Sequence, residues 1–108
     1  MVKYVPPYDK KEKHFLGYNF AGPGTNVTKR LNNNVKPVNK IDAACLKHDM
    51  VTEPRGPYRG KNNPKKMRAA DRRLIADVKK CWYVDPPIAS IIIAAMEGLL
   101  RTGARGRR

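Results

Sequence analysis

His48 and Asp49 are adjacent, inside the stretch NKIDAACLKHDMVT at 39–52. An imidazole can hold or pass a proton near neutral pH, and a carboxylate can orient an imidazole or bind a hard cation. Asn39 is a good helix N-cap and Asp42 suits a first turn, so a helix is predicted over about 40–52. Its apolar positions run Ile41, Ala44, Cys45, and His48 continues that stripe. His48 therefore points where a core residue should point, with Asp49 turned about 100° from it.

A second ionisable group lies in an apolar stripe further along. Asn63-Pro64 reads as an N-cap followed by Pro at the first helical position, which predicts a helix over about 64–82. Its stripe is Met67, Ala70/Asp71, Leu74, Val78 and Cys81/Trp82. If the two helices are antiparallel neighbours, Asp71 can accept from one ring nitrogen of His48. That fixes the tautomer and leaves the other nitrogen as a base. Asp77 competes for this role, but it lies roughly 120° from Asp71 around the helix, so both cannot face His48. The plainer reading is a buried His–Asp pair that only satisfies hydrogen bonds.

Phe20-Ala21-Gly22-Pro23-Gly24 is a glycine-rich loop. Glycines at alternate positions let carbonyls converge on one point, a hard-cation site that a carboxylate such as Asp49 would complete. The same residues also read as an ordinary Gly-Pro-Gly turn.

Around these groups the chain supplies one small, mainly α domain of 108 residues. Nine Pro and eight Gly predict substantial loops. Pro6-Pro7 excludes a helix in the lead-in, 1–14, and a short turn is expected at 27–31. A third helix is predicted from Asp85-Pro86-Pro87 to about Arg101. The domain is expected to run over 15–101, with a disordered basic tail at 102–108. The third helix, IASIIIAAMEGLL, either covers the two-helix core or lies in a membrane interface.

Net charge is +14 and pI about 10.2, so the expected partners are anionic: nucleic acid or an anionic lipid surface. Two cysteines in a domain this small point to a reducing compartment. Cys45 and Cys81 are expected to be free thiols, because antiparallel register offsets them by about 10 Å along the helix axes. No signal peptide or transmembrane segment is expected.

FAGPGTN, PVNKIDAACLKHD and AADRRLIADVKK, in that order, resemble the phospholipase A2 domain at the amino end of the parvovirus minor capsid protein and related phospholipase A2-like domains. The resemblance covers about residues 15–82. It implies two antiparallel core helices behind a calcium loop, and calcium-dependent hydrolysis of the sn-2 ester of phospholipids at a membrane surface. His48 would be the general base and Asp71 would orient it. Calcium would be held by the Phe20, Gly22 and Gly24 carbonyls with Asp49, and the Gly22 N–H would help at the oxyanion. Thr52 keeps a hydroxyl where the family often has Tyr supporting the orienting carboxylate, and Phe20 stands where Tyr is common. The secreted relatives are disulfide-dense, so the scarcity of cysteine places the chain nearer the viral branch. That suggests a virion or intracellular location and a role in membrane breaching.

Three rival readings accompany this one. The first is a nucleic-acid-binding module using the tail RTGARGRR, on a degenerate, inactive phospholipase-like fold. The second is zinc held by Cys45, His48, Cys81 and His14, for which no CxxC pair is present. The third is a degenerate, inactive relative.

Overall fold

A computed structural model of the protein describes residues 2–57 and 63–105. It is mainly helical, and the described residues contain no strand. The elements are α1 (Val27–Asn32), α2 (Lys40–Thr52), α3 (Pro64–Lys80), a 3-10 turn (Trp82–Val84) and α4 (Pro86–Thr102).

Local chemistry sets each boundary. The Asn39 side chain accepts the Asp42 N–H and starts α2; Asn63 does the same for Lys66 and starts α3. α3 ends at Lys80, two residues before the predicted stop. Cys81 leaves helical geometry there, and the chain must reach an extended Asp85 ahead of Pro86. Asp85 caps α4 in position but makes no capping hydrogen bond. Pro87, the second helical residue, has no N–H to donate to it, and the carboxylate instead accepts from the Tyr18 hydroxyl at 2.7 Å.

α3 packs against α2 on one side and α4 on the other. The core holds Phe20, Ile41, Cys45, Leu74, Val78, Cys81, Ala89 and Ile92. Both cysteines are free and buried. α2 is buried on more than one face, since Asp42, Asp49 and Thr52 are enclosed along with the predicted stripe.

The ends differ from the expected plan. The lead-in is built into the domain. Glu12 is buried and accepts from Arg30 Nε at 2.9 Å, and the fully buried Arg30 also donates to the Val5 and Pro6 carbonyls. At the other end Thr102 still belongs to α4, and Gly103 closes the helix in the left-handed region at φ 71°. Arg105 then folds back to Asp71. The first four residues of the expected disordered tail are thus ordered, and the last three lie outside the described residues. No helix among the described residues is long and apolar enough to cross a membrane.

Candidate active site

α2 and α3 bring His48 and Asp71 together. His48 Nε2 donates to Asp71 Oδ1 at 2.7 Å, with both side chains buried. Asp77 instead takes a hydrogen bond from Arg73, one turn earlier on its own helix. The choice between the two carboxylates therefore falls on Asp71. With Nε2 occupied, Nδ1 is the remaining ring nitrogen, and it lies 3.2 Å from Asp49 Oδ1. An unprotonated nitrogen and an ionised carboxylate oxygen repel at that distance, so the pair stays proton-free only when a cation holds the carboxylate. Burial alone would lower His48, but Asp49 and Asp71 outweigh it and hold the imidazole above its ordinary value. Burial pushes Asp49 up to about 7, against the opposing pull of His48.

The glycine loop is set over this pair by two devices. Asp42 is the first. Its carboxylate accepts the Phe20 and Ala21 N–H groups on one oxygen and those of Asn19 and Val38 on the other, at 2.8–3.0 Å. The loop is thereby fastened to the first turn of α2, three turns from its end. The second device is the lead-in. Lys13 and Phe15 donate to the Pro23 and Ala21 carbonyls, both at 2.9 Å. Gly22 and Gly24 have φ of 144° and 79°, and a Cβ at either would overlap the Lys13 or Lys11 carbonyl. The glycines are needed for this close approach of backbone to backbone.

The Phe20, Gly22 and Gly24 carbonyls take other partners than the lead-in backbone, and not the same one. The Thr25 hydroxyl donates to the Gly22 carbonyl at 3.0 Å and reaches the Phe20 carbonyl at 3.5 Å. It also acts, weakly, to hold down the Asp49 carboxyl. The Phe20 and Gly22 carbonyls therefore share one hydroxyl. The Gly24 carbonyl instead accepts from Arg55 Nη2 at 2.6 Å, and Arg55 is held by Asp9. His14 Nε2 pairs with the same Thr25 hydroxyl at 2.9 Å, and burial keeps its ring pKa low.

Thr52 does not take the expected place. Its hydroxyl donates to the His48 carbonyl at 3.2 Å and lies 3.4 Å from His48 Nδ1, one turn back on the same helix. A threonine is too short to cross to α3. The second oxygen of Asp71 accepts from Arg105 Nε at 2.7 Å.

These groups open on a cavity of about 300 Å³. His48, Asp49, Glu53, Gly22 and Arg105 give it polar character, while Phe15, Ile91, Ile92, Ala95, Met96 and Leu99 make the rest apolar. α4 therefore covers the core with Ala89 and Ile92 and lines the cavity with the same or neighbouring turns. Burial raises Glu53 as well.

The sequence reading missed Asp42 as an anchor, and also Thr25, Glu53 and Arg105. Asp42 had a signal, since it shares the spacing 42, 45, 49 and 52 with other enclosed positions of α2. Arg105 had none, being 34 residues from its partner in a low-complexity tail.

The metal question has two parts. Among the described residues no group of three or more His, Cys, Asp or Glu could hold a metal. Cys45, His48, Cys81 and His14 are thus not gathered as a zinc site would need. A site made of carbonyls and one carboxylate is a different donor set. Asp49 Oδ2 is buried with no hydrogen-bond partner and Asp49 shares the cavity wall with Gly22, which suits a hard cation held by carboxylate and carbonyl oxygens. The Gly24 carbonyl fits only if Arg55 leaves it.

No curated protein and no solved structure matches the chain. The model of the phospholipase A2-like domain family does match, over residues 11–95. That span takes in the end of the lead-in that buries Glu12, the glycine loop, the His48–Asp71 pair and much of α4. Covering well over half of the sequence, it shows that the chain belongs to the phospholipase A2-like domain family.

Proposed function

We propose that this domain hydrolyses the sn-2 ester of phospholipids at a membrane surface, with calcium as its cofactor. Family membership supports a phospholipase-like function in general. The observation that carries the finer reading is the His48–Asp71 hydrogen bond at the polar end of an apolar cavity. His48 Nδ1 takes a proton from water, whose oxygen attacks the ester carbonyl, and Asp71 holds the Nε2–H so that the ring stays in the tautomer this requires. Asp49, with the Phe20 and Gly22 carbonyls, would hold calcium, which polarises the ester carbonyl and stabilises the charge that develops on its oxygen. The Gly22 N–H is the candidate second donor to that oxygen. The apolar turns of α4 accommodate acyl chain.

Surface features support an interfacial site. Leu16, next to the cavity-lining Phe15, is 93% exposed, and Ile91 on the cavity wall is 50% exposed. A net charge of +14 favours anionic lipid. The parvovirus-like motifs make membrane breaching by a virion the setting we favour. Nucleic acid is the alternative partner for the same charge, on an inactive fold.

The test is fatty-acid release from vesicles of a phospholipid with different acyl chains at sn-1 and sn-2. Release of the sn-2 chain with calcium, and none with chelator, is expected. Absence of release under both conditions would overturn the reading in favour of an inactive fold.

A further inference from the structure

Asp71 is fully buried, and both of its oxygens are engaged at 2.7 Å: Oδ1 by His48 Nε2 and Oδ2 by Arg105 Nε. The second contact comes from beyond the end of α4. Gly103 turns the chain in the left-handed region, and the Ala104 N–H closes on the Leu99 carbonyl at 3.3 Å. That turn lays the Arg105 side chain, 20% exposed, against α3 and into the wall of the cavity. A tail segment thereby completes a pair formed by two core helices.

We propose that Arg105 is a positioning residue for the hydrolysis, acting through Asp71 on His48. The inference rests on the function proposed above. A buried carboxylate held at one oxygen can rotate about its Cβ–Cγ bond. Held at both, it presents a fixed acceptor to Nε2–H.

Charge gives a second reason. His48 faces Asp49 and Asp71, and Glu53 lies on the same cavity. Arg105 is the cation placed against Asp71, at 2.7 Å. During attack the water proton moves to Nδ1 and the Nε2 proton stays on the ring. The Nε2–H bond to Asp71 Oδ1 is kept throughout, and Arg105 holds the carboxylate that accepts it. Thr52 reaches only its own helix, so the support that a longer hydroxyl side chain would give Asp71 comes here from Arg105.

The test compares the intact chain with Arg105→Ala and Arg105→Lys. Three quantities are measured: kcat and KM on phospholipid vesicles with calcium, calcium affinity by calorimetry, and the His48 ring-nitrogen NMR signals with histidine labelled. For Arg105→Ala we expect kcat to fall by about 10- to 100-fold, the range seen when an outer partner of a functional group is removed. KM and calcium affinity should stay within about twofold, and the Nε2–H signal should move or broaden. Lysine, or millimolar guanidinium added to Arg105→Ala, should recover part of the rate.

A rise in KM with kcat unchanged would overturn the proposal and make Arg105 a substrate-phosphate contact. A loss of kcat with an unmoved His48 signal and no recovery would also overturn it, leaving a merely structural role. If the intact chain has no activity, the proposed function fails by itself. The NMR comparison then still decides whether Arg105 fixes the His48–Asp71 geometry.

Discussion

Two buried carboxylates, Glu12 and Asp49, are treated in contrary ways. Glu12 accepts hydrogen bonds from Tyr8 N, Asn26 N and two nitrogens of Arg30, at 2.7–3.1 Å. Burial would raise its carboxyl, but these partners overcome that and hold it at about 2. Asp49 is equally enclosed, yet one oxygen has no partner and burial pushes it to about 7. The Glu12 carboxylate is fully partnered, and it and Arg30 lock one another in place. The second carboxylate lacks a partner, and such a deficit in a cleft marks a place where a ligand is expected. The contrast separates what holds the loop from what the loop is for.

The largest way to break the comparison lies on the Glu12 side. Glu12→Gln leaves Arg30 buried with a weakened partner, and should cost about 3–5 kcal/mol of stability. Urea unfolding measures it, and a loss below about 1 kcal/mol would mean the network is not what anchors the lead-in. The pH dependence has a defined sign. Because the folded carboxyl lies below its usual 4.5, its stabilising contribution is present above pH 4.5 and disappears as pH falls to about 2. Glu12→Gln should flatten that acid limb.

The next effect separates two carboxylates within the site. Asp71→Asn should lower turnover by roughly 10²-fold while leaving calcium affinity intact, because it disturbs only the orientation and charge balance of His48. Asp49→Asn should abolish calcium binding. Equal loss of affinity in both variants, measured by calorimetric titration, would contradict the assignment.

A smaller effect sharpens the comparison by its sign. In chelator, Asp49→Asn should raise stability by about 1 kcal/mol, since it removes an incompletely satisfied buried carboxyl. In the intact chain calcium should raise the melting temperature, as any ligand selective for the folded state does, and in Asp49→Asn it should not. A metal-free loss of stability as large as that of Glu12→Gln would erase the distinction between the regions. The smallest expected effect is none: reducing agent should leave the melting temperature unchanged, because Cys45 and Cys81 are free thiols in the core. A fall would place the two helices in a different register.

Much of the His48–Asp71 pair was legible in the sequence, because it lies on helices. The stripe Ile41, Ala44, Cys45, His48 and the stripe Asp71, Leu74, Val78 have the helical period, and two N-caps marked their starts. Asp71 could be preferred to Asp77 only as one of two faces; packing decided between them. What escaped was polar and non-periodic. Glu12 meets Arg30 across 18 residues and Arg105 meets Asp71 across 34, and neither pair belongs to a repeating pattern. A lead-in with Pro6-Pro7 and a tail rich in Gly and Arg read as loose ends because composition describes how segments behave alone. Here each end is fixed by one arginine and one buried carboxylate. The convergence of three carbonyls was likewise beyond the loop's own residues, since Arg55, outside the loop, takes the third.

The central claim is that His48, oriented by Asp71, is the base of a hydrolytic site. It is tested most directly by the turnover of His48→Gln on phospholipid vesicles with calcium, with helical circular dichroism recorded on the same sample. Glutamine keeps a hydrogen-bonding side chain but cannot take the proton, so turnover should fall by at least about 10²- to 10⁴-fold, the contribution of a positioned base, with the helical signal retained. Undiminished fatty-acid release from that folded variant would contradict the account.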